Sequence, residues 1–175
     1  MANVIKLRDL RHQNGPIPGG VVKLYLAKDA DVTNMTITTD PTTGAKSIDV
    51  DMTVGGDGFK EFEFEPGTCK LSHPTVGEDG SKSFEQLVDW VIAGDDDRLE
   101  LFNNMINGRY IAITDSASGG LRVVGTKRAP ALLTTATYDS GADQPERNAT
   151  TFQLKSRAGH YSIKYTGAVP VVAGP

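Results

Sequence analysis

Three histidines, one cysteine and two acidic constellations are the residues through which this chain could do chemistry. His12, His73 and His160 are scattered along the sequence and have no ligand-like spacing. Asp49-x-Asp51-x-Thr53 opens like a calcium loop, in which alternate oxygens converge on one ion. Val54 stands where that loop needs its glycine, and Lys60 where it needs its bidentate glutamate, so the run reads as the outward face of a strand. Asp95-Asp96-Asp97 could hold a cation, but acids at a helix start complement the helix dipole and need no metal. The glycines around Gly55 and Gly119 lack the strand–loop–helix setting of a phosphate cradle. No G-x-S-x-G, P-loop or H-E-x-x-H pattern is present. These readings predict no catalytic residue, no cofactor and no metal site, and so no enzyme. Arg122, Lys127 and Arg128 form a small basic patch. With 7% aromatics and a net charge of −4, they do not predict sequence-specific nucleic-acid recognition.

Cys69 is the only cysteine, which excludes an internal disulfide framework and a cysteine-based zinc site. No apolar run is long enough to span a bilayer, and Met1-Ala2-Asn3 begins no signal peptide. Synthesis in a reducing cytoplasm, with no membrane partner, is therefore expected.

The elements that must position these residues centre on Phe84–Gly125. Arg109–Thr114 and Leu121–Gly125 are alternating apolar runs joined by a Gly-rich tip, which predicts a hairpin. A short helix is expected over about 96–107. Asp95 or Asp96 can cap it, Leu99, Phe102, Met105 and Ile106 recur at helical spacing, and Asn107-Gly108 supplies a left-handed stop. Residues 83–93 fit a helical face through Phe84, Leu87, Val88 and Val91. They equally fit one side of a strand through Phe84, Val88, Trp90 and Ile92.

Before this stretch, residues 1–20 read as an N-terminal arm with apolar Val4, Ile5, Leu7 and Leu10, ending in the breaker Asn14–Gly20. Val21–Ala27 predicts a strand with Val22, Leu24 and Leu26 on one face. Asn34–Thr39 predicts another, followed by the turn Asp40–Gly44. Ser47–Val54 alternates, with Ile48, Val50, Met52 and Val54 inward. Phe59–Glu65 alternates too, although Phe59 is out of phase with Phe62 and Phe64. Thr68–Ser72 resumes the strand pattern before the polar loop His73–Ser81. After the central stretch, Ala131–Tyr138 reads as a strand. Ala149–Ser156 and His160–Thr166 read as a hairpin pair around Arg157-Ala158-Gly159. One β-rich domain over 21–167, a barrel or sandwich, is expected, with 168–175 as an extended tail that its prolines keep from being helical.

Charge is unevenly spread. Residues 40–100 carry five bases and fifteen acids, a net −10, against +2 for residues 1–39 and +4 for residues 101–175. Solvated surface accounts for such a pattern, and so does an acidic face of one subunit meeting a basic face of another.

Several segments together resemble the tail-tube and related ring-forming structural proteins of tailed bacteriophages, especially those infecting Bacteroidetes. They are Gly19-Gly20 before VVKLYLA, FEFEPGTCKL, the strand–acidic helix–hairpin through RYIAITDSASGGLRVVG into Gly125-Thr126-Lys127, and YDSGADQPERNATTFQLKS. The resemblance implies a β-barrel or sandwich with one flanking helix, and favours a strand over 83–93. It implies subunits that pair with one another into a ring, expected to be hexameric, and rings that stack into a tube in the virion tail. The partners it implies are other copies of the chain, other virion structural proteins, and DNA passing non-specifically through the lumen. Assembly would take place in the host bacterial cytoplasm. Outward acids such as Asp49, Asp51, Glu61 and Glu63 would then repel the polyanion. A head-to-tail connector or tail-completion ring is the alternative within this class. A carbohydrate-binding β-sandwich is the alternative outside it, although that class usually exposes tryptophan, and Trp90 lies in an apolar run.

Overall fold

The computed structural model describes residues 18–49, 51–94, 103–141 and 148–172. Within them the protein is mainly β, as the alternating runs predict. In chain order the strands are β1 (Val21–Lys28), β2 (Val32–Asn34), β3 (Thr38–Thr39), β4 (Lys46–Ile48), β5 (Thr53–Val54), β6 (Lys60–Phe62), β7 (Lys70–Ser72), β8 (Thr75–Val76), β9 (Ser83–Phe84), β10 (Gln86–Ala93), β11 (Arg109–Ser116), β12 (Leu121–Val124), β13 (Ala131–Asp139), β14 (Ala149–Ser156) and β15 (Ile163–Tyr165). Eleven of them form one mixed sheet that runs β3-β4-β15-β12-β11-β13-β14-β10-β7, with β1 pairing both β11 and β6. Beyond β6, the Glu65 N–H donates to the Val91 carbonyl at 2.9 Å, so the chain leaving β6 meets β10 from the far end of the sheet.

β1 and β11 are the axis of this arrangement, and each is buried on both faces. Their sequences, VVKLYLAK and RYIAITDS, are nearly continuous apolar runs because neither face is left to water. Leu24, Leu26 and Ala112 point into one core with Trp90, Phe152, Leu154 and Val88. Tyr25, Ala27, Ile111 and Ile113 point into a second core with Val32, Ile48, Phe59, Val123 and Ile163. The odd phase of Phe59 has its explanation here. Phe59 is fully buried in the second core, while Phe62 and Phe64 pack against the first.

Residues 86–93 are a strand, central to the sheet between β14 and β7. Val88 and Trp90 are fully buried, and the Trp90 ring stacks on Phe152 with centroids 5.1 Å apart. The predicted hairpin joins β11 to β12, with positive φ at Gly119 and Gly120. The left-handed stop is also where it is expected. Asn107 has φ +61°, and the Gly108 N–H donates to the Met105 carbonyl at 3.0 Å. A Cβ on Gly108 would lie 2.1 Å from the Tyr110 hydroxyl oxygen, so any other residue there would force the Tyr110 ring to move.

The part of the helix expected over 96–107 that includes Leu99 and Phe102 lies outside the described residues; among the described ones a helical turn is present at 103–105. Met105 is buried, but Ile106 is 50% exposed. Ile106 sits in the turn that unwinds at Asn107, past the point where helical spacing predicts a face. The arm assigned to 1–20 likewise falls outside the description up to residue 17.

Four expectations about pairing and phase are corrected. Val22 is 57% exposed instead of joining Leu24 and Leu26, because a register shift between Val21 and Lys23 turns Val21 inward in its place. Asn34–Thr39 and Ser47–Val54 are not continuous strands. β2 and β5 pair with each other, while β3 and β4 join the large sheet. β14 and β15 form no hairpin, because β10 and β13 already occupy both edges of β14. β15 instead pairs antiparallel with β12 and parallel with β4. The loop after His73 contains a small ladder of its own, β8 with β9.

Residues 168–172 are non-helical, with a tight turn at Pro170 where the Val171 N–H donates to the Val169 carbonyl at 2.9 Å, and they are docked; 173–175 lie outside the described residues. The Ala168 N–H donates to Asp51 Oδ1 at 2.8 Å, the Val172 N–H donates to the Phe59 carbonyl at 3.0 Å, and Val169 packs on the second core.

Candidate functional site

The polar residues singled out in the sequence fall into three places. The first is a node built on Gln86, whose position in β10 faces the interior. Its Nε2 donates to the His160 carbonyl at 2.8 Å, and its Oε1 accepts from the Gly125 N–H at 2.9 Å. Gly125 has φ +82°, and a Cβ there would lie 2.8 Å from the Ala131 backbone nitrogen. The glutamine thus satisfies a backbone group that no strand can reach. His160 Nδ1 lies 2.8 Å from the Tyr161 carbonyl, to which only a protonated Nδ1 donates. One residue further on, the Ser162 N–H donates to His73 Nε2 at 3.2 Å, and Arg122 Nη1 donates to the Ser162 carbonyl at 3.3 Å. Burial and then the Arg122 charge hold His73 below the ordinary histidine pKa, consistent with a neutral ring that accepts at Nε2. His73 and His160, distant in sequence, therefore flank the same segment, 160–162. His12 lies outside the described residues.

The second place is the corner between β4 and the C-terminal segment. Asp49 accepts from Ser47 Oγ at 2.8 Å and from Thr166 Oγ1 at 3.1 Å, and Asp51 accepts from the Ala168 N–H. These carboxylates are exposed, as expected of an outward face, and they bind the chain to itself. Asp95-Asp96-Asp97 lie outside the described residues. The third is Cys69, buried in the first core. Desolvation first, and then the Asp89 charge, push its thiol up to about 12, so it stays protonated and unreactive at neutral pH. Among the described residues no group of three or more His, Cys, Asp or Glu is placed to hold a metal ion.

Part of the charge asymmetry is absorbed within the fold. Acids of the central segment meet bases of the flanking ones: Lys23 with Glu61 at 3.1 Å, Lys28 with Asp57 at 3.3 Å, and Lys155 and Arg157 with Glu85 at 2.6 and 3.4 Å. The basic patch is divided. Lys127 donates to the Asp29 carbonyl and stands near its carboxylate, Arg122 turns to Ser162, and Arg128 is exposed.

The remaining surface features are apolar side chains in water and strands with an open edge. Val22, Leu132, Tyr138 and Tyr161 are between 37% and 57% exposed. Among the described residues, β3 and β7 terminate the large sheet, and β6 pairs only β1. Single exposed apolar residues are ordinary, but unpaired strand edges are normally blocked or completed by a neighbour. Comparison with protein-family models, with curated proteins and with solved structures finds no match.

Proposed function

We propose that this chain is a structural virion protein: a phage tail-tube subunit whose copies close edge to edge into rings, which stack into a conduit for DNA. The observation that carries the reading is the margin of the large sheet, which among the described residues ends at β3 on one side and at β7 on the other with no further strand paired to either. Edge strands present a row of unsatisfied N–H and C=O groups, and a ring of identical subunits satisfies them all. The order of elements through RYIAITDSASGGLRVVG, which resembles ring-forming tail proteins, supports the same reading. A connector or tail-completion ring has the same requirements and differs only in its position.

The carbohydrate-binding alternative loses its natural stacking residue, because Trp90 is fully buried against Phe152. Exposed Tyr138 and Tyr161 are what it would have to use.

The test is sedimentation velocity on the purified full chain at rising concentration. Closed rings predict one discrete oligomer, or very large species, replacing the monomer. A monomer at every concentration that binds an oligosaccharide array would contradict the proposal.

A further inference from the structure

A cleft of about 660 Å³ lies between β7, the β11–β12 hairpin and the approach to β15. Its walls carry Lys70, Arg122 and Lys164 together with His73, and no carboxylate lines it among the described residues. Elsewhere several bases, Lys23, Lys28, Lys155 and Arg157 among them, stand against carboxylates. These three share one cavity and make no ion pair among the described residues, although Asp89 stands opposite Lys70 across the β7–β10 ladder. Arg122 and Lys164 are moreover directly opposite each other across the β12–β15 ladder. Like charges placed so are repulsive, and no acid of the described residues is paired with either. Arg122 is also fixed in place: its Nη1 donates to the Ser162 carbonyl, which leaves the rest of its fork of N–H donors free to bind. The glycine pair 119–120 at the hairpin tip carries no side chain to fill the opening, and a Cβ at either would meet nothing within 4 Å.

We propose that this cleft is an anion-binding site for a phosphate-bearing ligand, either a free phosphate or pyrophosphate group or a phosphodiester segment. Three cations lining one cleft that no described carboxylate lines match a polyvalent oxyanion better than a single carboxylate. A guanidinium fork beside two ammonium groups is suited to phosphate geometry. The volume accommodates a ligand of nucleotide size. The site does not depend on whether the chain forms rings.

Titration calorimetry and amide chemical shifts on the full chain, in phosphate-free low-salt buffer, test it. The probes are pyrophosphate, a short oligodeoxythymidylate, and citrate as the carboxylate comparator. Saturable pyrophosphate binding that shifts the amides of Gly119, Gly120 and Arg122 is expected. Lys164→Gln and Lys70→Gln, both on exposed side chains, should each weaken it about tenfold, roughly the loss of one charged contact. Arg128→Gln, outside the cleft, should leave it unchanged. Arg122→Gln should weaken it further, interpreted only if its melting curve matches the parent. Oligonucleotide binding that is lost in the same variants assigns the phosphate to a nucleic-acid backbone, whereas binding of pyrophosphate alone assigns it to a small ligand. No saturation by about 10 mM pyrophosphate, weaker than any useful site, would overturn the proposal. So would binding unaffected by Lys164→Gln and Lys70→Gln, or citrate binding as tight as pyrophosphate.

Discussion

Gln86 shows how a single side chain can hold together elements that the sheet does not pair. It is fully buried, and it satisfies the Gly125 N–H and the His160 carbonyl at once. Gln86→Leu keeps the volume but orphans both groups, each at a cost of about 1–3 kcal/mol, so a loss of roughly 2–5 kcal/mol is expected in denaturant melts. A loss below about 1 kcal/mol would show that water replaces the amide. His73 gives a pH signature. Its pKa is lowered in the fold, so the folded chain binds its proton less readily than the unfolded chain does. The contribution is fully present above the ordinary histidine pKa of about 6.5 and is lost as pH falls through the folded value. Unfolding midpoints should therefore fall between pH 7.5 and 5, and the fall should be shallower in His73→Gln. Equal slopes would remove His73 from the account. Neither role was legible in the sequence. A glutamine at the start of an alternating run has the same pattern whether it faces water or a buried backbone, and His73 becomes informative only once the fold brings it to Ser162.

At the scale of elements, the sequence revealed strands better than it revealed their partners. β1, β11, β13 and β14 fall where alternating or continuous apolar runs predict them, and β10, which periodicity leaves open between helix and strand, is a strand. Pairing is decided by competition for edges, which adjacency in sequence does not report. Adjacency in sequence predicts β14 as the hairpin partner of the next run, yet β10 and β13 saturate it. The register shift at Val21/Lys23 breaks alternation at the start of β1 and leaves Val22 in solvent, and a second shift interrupts β13 between Leu133 and Thr135. The β10–β14 pair is the centre of the first core, with Trp90 stacked on Phe152. Phe152→Ala should cost about 3–5 kcal/mol and alter the near-ultraviolet circular dichroism of Trp90. A cost under about 1 kcal/mol, with an unchanged spectrum, would mean that the stack contributes little.

For the whole molecule, two cores back to back on β1 and β11 account for the misfit phase of Phe59, the one clue in the sequence that inward-facing residues serve two interiors. The charge asymmetry is a less direct guide, because several of its acids and bases neutralise each other within the chain. Exposed pairs such as Lys28 with Asp57 contribute little to stability. If the charges left over guide subunits together, association should slow as salt rises well above physiological strength. Arg128→Glu should slow it too. Arg128 is a cleaner probe than Lys127, which is engaged with Asp29. Light scattering at low and high salt measures this, and unchanged rates would leave those charges merely solvated. The central claim is that copies of this chain complete one another's sheet margins, and negative-stain electron microscopy of the purified protein tests it most directly. The account predicts rings of uniform diameter with an open channel, or tubes of stacked rings. A field of dispersed monomers at high protein concentration would contradict it.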